Sequence, residues 1–110
     1  MRPHNSGHWT IDGAITSQFE QHLRAVLDLP LGSTALLAPA SVMINVIGGP
    51  ASGSMTDRYR AALHAHPDVK VHSYAKATRP GRKVGHVTAI GDDLDEVAYR
   101  ARAAAAHFDA

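Results

Sequence analysis

Two stretches of this 110-residue chain carry residue types that could do chemistry. One is Lys76-Ala77-Thr78-Arg79-Pro80-Gly81-Arg82-Lys83-Val84-Gly85-His86. Counted from Lys70, five cations fall within fourteen residues that contain no acid. Pro80 presets φ near about −65° and Gly81 accepts positive φ, so Arg79 to Arg82 reads as a tight turn. Such a turn would hold the cations of Lys76, Arg79, Arg82 and Lys83 near one another. Guanidinium forks suit the paired oxygens of phosphate and an ammonium adds a compact charge, so one reading is a phosphate grip. A solvated basic hairpin has the same composition. The second stretch is Arg2-Pro3-His4-Asn5-Ser6-Gly7-His8. It offers a fixed cation (Arg2), a titratable donor (His4) and two neutral hydrogen-bonders (Asn5, Ser6). That set suits an anion whose charge changes during reaction.

Other chemistries find less support. The chain has no Cys, hence no disulfide framework, thiolate nucleophile or Cys-based zinc site. Of its eight histidines, His4 and His8 are separated by Gly7, and His64 and His66 fall on different faces of an expected helix. No carboxylate joins either pair at zinc-ligand spacing and no His-Glu-x-x-His occurs, so no dedicated metal site is expected. Ser6 lacks the preceding glycine of a nucleophile elbow and reads as a hydrogen-bonding serine. Neither a P-loop nor a Gly-x-Gly-x-x-Gly run is present. Net charge is +1, so the chain as a whole has no pull on nucleic acid. No apolar run approaches the roughly 20 residues that span a bilayer, and the polar start has no signal-peptide centre. Neither nucleic acid nor membrane is expected as a partner, and the location expected is cytoplasmic.

The elements that must position these residues are short. Residues 1–10 read as loop and Ile11 to Ala14 as a turn. Ser17 with Glu20 forms a capping-box pattern, and Phe19, Leu23, Val26 and Leu27 recur at helical spacing over about Gln18 to Asp28, predicting one buried face. Ser41 to Ile47 is rich in β-branched residues and ends at Gly48-Gly49, predicting a buried strand. Asn45 in its middle is either a satisfied core amide or a group directed at a ligand. Thr56 is placed to cap a short helix to about His66, with Tyr59, Ala62 and Leu63 inward. Val69 to Tyr74 and Lys83 to Ile90 predict an antiparallel pair centred on Pro80-Gly81. Gly91-Asp92 ends the second of these strands and caps a last helix whose buried stripe is Leu94, Val97, Ala98, Ala101, Ala105 and Phe108. The fold class is therefore α+β, a small, mostly antiparallel sheet with packed helices. Apolar content of 45% is enough for one modest core.

Taken together, Arg2 to Thr10, Thr16 to Ala25, Asp28-Leu29-Pro30-Leu31, Val42-Met43-Ile44-Asn45 and Lys76 to His86 resemble, in order, the late part of 5-(carboxyamino)imidazole ribonucleotide synthases. These are ATP-grasp ligases of purine biosynthesis. The resemblance covers nearly the whole chain. It implies that residues 1–29 are the end of an ATP-grasp domain and residues 30–110 the small C-terminal domain. It implies a reaction in which ATP and bicarbonate give carboxyphosphate, which carboxylates the amine of 5-aminoimidazole ribonucleotide. Arg2 and His4 would then be catalytic, facing bicarbonate or carboxyphosphate. Asn5 and Ser6 would lie near the metal-bound phosphates, and Lys76, Arg79, Arg82 and Lys83 would receive the ribonucleotide phosphate. The resemblance also implies ATP and magnesium as cofactors of the full-length family. As partners it implies a second copy of the chain or a further N-terminal portion. Family members carry Asn-Glu-x-Ala-Pro ahead of the matching segment, its Glu a magnesium ligand; here Met1 stands where that Pro would be. The chain thus reads as a C-terminal fragment, expected to be inactive alone and not to bind ATP and magnesium fully. Residues 1–14, without neighbouring strands, are expected to be less ordered than the basic hairpin. The alternative is a non-catalytic module that binds a phosphorylated ligand or a subunit.

Overall fold

Strand β3 (Lys83–Gly91) is the middle of a three-stranded sheet with order β1-β3-β2, where β1 is Ala40–Ile47 and β2 is Lys70–Ser73. Both pairings are antiparallel, and they leave every residue from Val84 to Ala89 buried. The computed structural model describes residues 2–109; Met1, compared above with a family proline, lies outside them, as does Ala110. Alternation assigns the faces. Val87 and Ala89 join Val97, Ala101, Ala104 and Phe108 in one apolar core under helix α4 (Leu94–Ala105). Small alanines let that helix approach closely, and burying side chains such as Val97 and Phe108 stabilises by roughly 1.5–3 kcal/mol each. The opposite face carries Asn45, His86 and His72, which the register sets side by side across all three strands.

The basic turn forms as the Pro-Gly pair predicts: the Arg82 amide donates to Arg79 O at 3.0 Å, and Gly81 has φ +77°. It is also fastened to the end of β1. The Arg79 amide donates to Gly48 O (3.0 Å) and the Gly48 amide to Arg82 O (2.6 Å). Gly48 sits at φ +86°, where a side chain would strain the backbone.

Several expectations need correction. The opening loop contains a 3-10 turn (Asn5–Gly7) and a short helix α1 (Thr10–Gly13). Helix α2 (Gln18–Val26) is capped by Ser17, whose hydroxyl accepts from the Glu20 amide, but Glu20 turns to Arg24 (2.6 Å) instead of reaching back. The apolar face of α2 is not buried. Leu23, Val26 and Leu27 are all exposed, and Phe19, with only the His8 ring beside it, is 40% exposed. Before helix α3 (Tyr59–Ala65), the 3-10 turn Met55–Arg58 is capped by Ser54 with Asp57, not by Thr56, and Leu63 is exposed. On α4 the cap is Asp93, so Leu94 precedes the buried stripe and is 59% exposed. Among the described residues no helix is long and apolar enough to cross a membrane.

Candidate functional site

The face that carries Asn45, His86 and His72 is covered only in part, by the segment running from Arg2 to α1. Gln18, the first residue of α2, ties that segment down. Its Oε1 accepts from the His4 amide (2.9 Å) while its Nε2 donates to His4 O (2.6 Å) and lies 2.7 Å from His8 Nδ1. A Cβ on Gly7 would come within 2.6 Å of Gln18 Oε1, so a larger residue there would push the glutamine side chain out of this position. Farther along, Asp12 Oδ2 pairs with His72 Nε2 at 2.6 Å, and Ile15 and Leu37 amides bond to Ala35 O and Gly13 O. Residues 2–14 are thus joined to the rest of the chain by one glutamine, the Asp12–His72 contact and backbone bonds.

Between this segment and the sheet lies a cleft of ≈ 500 Å³. Arg2 and Asn5 line it from one side, Lys76 and Lys83 from the other, with Ile11 and Phe19 supplying apolar wall. His8, His72, Tyr74 and His86 also line it. Two cationic stretches from opposite ends of the chain therefore meet at one opening. The other predicted residues are placed elsewhere. Arg79 lines a separate hollow with Gly48, Gly49 and Pro50, and Arg82 Nη1 donates to Ala77 O (3.2 Å). The four cations of the basic segment do not converge on one point, because the turn leans toward β1. His4 is exposed and accepts the Ser6 amide on Nδ1 (3.2 Å), with Ser6 Oγ 2.9 Å away. Asn5 and Ser6 line a second opening of ≈ 540 Å³ with Trp9, Leu36, Ser41, Met43 and Asn45. Asn45 Oδ1 and Ser41 Oγ are buried there without partners, so Asn45 is not a satisfied core amide.

The histidine group was not apparent from spacing. His86 is fully buried and stacks on His72 with ring centroids 4.6 Å apart. Its Nδ1 lies 2.7 Å from the Tyr74 hydroxyl, and its Nε2 has no partner among the described residues. Burial, and then the neighbouring His72 and His8, push its pKa down to about 4, while Asp12 opposes. The ring is therefore neutral at neutral pH. His8 is lowered as well, by burial and then by His4, Lys83 and His72. Burial raises Tyr74, which keeps its proton and can donate or accept toward His86. Correct hairpin register would have revealed the His72–His86 pair; the turn alone did not fix it.

Chemically, the cleft offers two ammonium groups and a guanidinium to an anion, with an uncharged imidazole floor. Residues 41–100 match the family described as phosphoribosylaminoimidazole carboxylase C-terminal domain. The chain is 56% identical over 107 residues to the N5-carboxyaminoimidazole ribonucleotide synthase of Mycobacterium tuberculosis, covering 96% of this chain and 25% of that one. Its fold matches the phosphoribosylaminoimidazole carboxylase ATPase subunit of Aquifex aeolicus with a TM-score of 0.81 at 40% identity, over 98% of this chain and 32% of that chain. It also matches the Aspergillus clavatus N5-carboxyaminoimidazole synthase in complex with ADP and 5-aminoimidazole ribonucleotide, with a TM-score of 0.77 at 39% identity, over 94% of this chain and 28% of that chain. The chain spans about a quarter of the length of the curated relatives it matches. A match over more than half its residues, on the same sheet and helices, shows that the chain belongs to the phosphoribosylaminoimidazole carboxylase C-terminal domain family.

Proposed function

We propose that this chain supplies the C-terminal, phosphate-holding side of an ATP-dependent ligase that carboxylates 5-aminoimidazole ribonucleotide with bicarbonate, by way of carboxyphosphate. The observation that carries this reading is the meeting of Arg2 and Asn5 with Lys76 and Lys83 around one cleft. In it, Lys76 and Lys83 hold the ribonucleotide phosphate as point charges. Arg2 reaches toward the bicarbonate-derived anion, where a fixed cation stabilises charge as it develops. His4, fixed by Gln18 and Ser6, serves the same anion. Residues 1–29 are then the end of the ATP-grasp domain and 30–110 the C-terminal domain.

ATP supplies the phosphoryl group that activates bicarbonate. On this chain, Asn5 and Ser6 offer neutral hydrogen bonds toward its phosphates. A magnesium ion does not fit these residues alone, because among the described residues no carboxylate lines either opening that Asn5 lines. Hard divalent cations require oxygen ligands, usually carboxylates. The purified 110-residue chain is accordingly expected to release no phosphate from ATP above a protein-free blank when aminoimidazole ribonucleotide and bicarbonate are added.

Binding should survive where chemistry does not. We expect 5-aminoimidazole ribonucleotide to bind the chain weakly, with Kd roughly millimolar, and more weakly as salt is added. Amide shifts in an NMR titration should fall in residues 2–8 and 72–86. Lys76→Ala or Lys83→Ala should weaken binding severalfold, Arg79→Ala less, and Lys70→Ala hardly at all. Equal losses from Lys70→Ala and Lys83→Ala, or shifts confined to α4, would remove the basis for this reading.

A further inference from the structure

Asp12, His72 and His86 come from three separate elements, yet one potential ligand atom of each lies within 4.8 Å of the other two. We propose that these three side chains form a binding site for a divalent transition-metal ion such as zinc. The inference does not rest on the reading of the ribonucleotide cleft, and it concerns a different ion from the magnesium considered above.

The chemistry of the donors argues for it. Two imidazoles and one carboxylate are a borderline-soft set that suits zinc, cobalt or nickel and does not suit magnesium. His86 is fully buried with Nε2 unpartnered, and a buried polar nitrogen left unpaired is destabilising unless something binds it. Its other nitrogen is engaged by the Tyr74 hydroxyl, the arrangement that fixes the tautomer and ring orientation of a metal-binding histidine. With Nδ1 held there, Nε2 is the nitrogen left for a metal. Asp12 and His72 already approach to 2.6 Å, and an ion entering between the three would exchange that contact for two metal–ligand bonds.

The site is held on rigid parts. His72 and His86 are register partners on neighbouring antiparallel strands, so their backbones are fixed relative to each other. The backbone beneath is tight: a Cβ on Gly85 would come within 2.3 Å of the His72 carbonyl oxygen. Asp12 comes from α1, between the fastened opening residues and the bridge that joins Ala14 to Leu36. His72 stands at the cleft with its side chain 32% exposed, so an ion would reach the buried His86 nitrogen from the His72 side. Lys76 and Lys83 on the same cleft oppose a bare cation. They favour an anion or hydroxide as the outer ligand once the metal is bound.

The 110-residue chain, stripped of metal, should bind one Co²⁺ with the visible absorption of a low-coordinate nitrogen and oxygen site, and Zn²⁺ should displace it. Millimolar Mg²⁺ should not. Zinc should move the ring resonances of His72 and His86 and leave those of His64 and His107 in place. Asp12→Asn and His72→Gln each remove a ligand and should weaken binding at least about tenfold, and Tyr74→Phe by about tenfold. His64→Ala should leave the affinity unchanged. Circular dichroism establishes that each variant is folded, and His86 is left intact in all of them. The proposal is overturned if the folded wild-type chain binds no stoichiometric cobalt. It is equally overturned if Mg²⁺ displaces the cobalt, if the moving rings are others, or if Asp12→Asn and His72→Gln bind as wild type does.

Discussion

His86 is an imidazole without access to water, flanked by His72 on β2, His8 and Asp12 on the covering segment, and Tyr74 just past β2. Its folded pKa of about 4 lies below the 6.5 of a free histidine. As pH falls through 6.5 the unfolded chain takes up a proton that the folded chain refuses until about 4. The unfolded state binds more protons across that window, so unfolding free energy must fall there and level off below it. The gap corresponds to at most about 3.5 kcal/mol, at about 1.4 kcal/mol per pH unit. Urea denaturation of the metal-free chain between about pH 7 and pH 4 should show this loss. His86→Gln, which cannot titrate, should show a shallower slope than wild type after the carboxylates common to both are accounted for. Identical slopes would place the acid sensitivity elsewhere.

At the scale of elements, Gln18 shows how one helix start organises a neighbouring segment. Gln18→Ala removes both bonds to His4 and the contact to His8. Amide exchange at Gly7 and His8 should then rise at least about tenfold, as local opening becomes easier. Ribonucleotide binding should weaken severalfold, while the exchange of Val87 in the sheet should not change. Unchanged exchange at Gly7 and His8 would show that the Asp12–His72 contact and the backbone bonds hold the segment without the glutamine side chain. What the sequence made legible at this scale was local. The Ser17 cap, the Pro80-Gly81 turn, β1, β3 and the alanine-lined α4 all follow from neighbours a few residues apart. What it left hidden depended on register and on coverage. A hairpin centred between Pro80 and Gly81 sets His72 opposite Ala89; the real partner is His86, which puts the midpoint at residue 79. The turn is also fastened to Gly48, a contact no spacing rule anticipates. Likewise the period of Phe19, Leu23 and Val26 established that α2 has an apolar face, not what lies against it.

For the molecule as a whole, that uncovered face is the main surface feature. Leu23, Val26 and Leu27 on α2 and Leu29, Leu31, Leu36 and Leu37 beyond it are each more than half exposed. Exposed apolar surface of this kind drives association. The 110-residue chain should therefore sediment increasingly as oligomers as its concentration rises. Leu23→Lys combined with Leu27→Lys should return it to a monomer and leave cobalt and ribonucleotide binding intact. A chain that stays monomeric without these changes would mean that the face is too dispersed to self-associate. The strand order bears on something else, the timing of synthesis. Among the described residues β1 and β2 do not pair with each other; each pairs with β3, the last of the three to be made. While a ribosome is extending the chain, β1 leaves the exit tunnel as an apolar strand with both edges open, and it stays so until Lys83–Gly91 follows. No hairpin can form early and wait. The nascent protein acquires its whole sheet in one late step, and until then Val42 to Ile47 is the segment most in need of a chaperone.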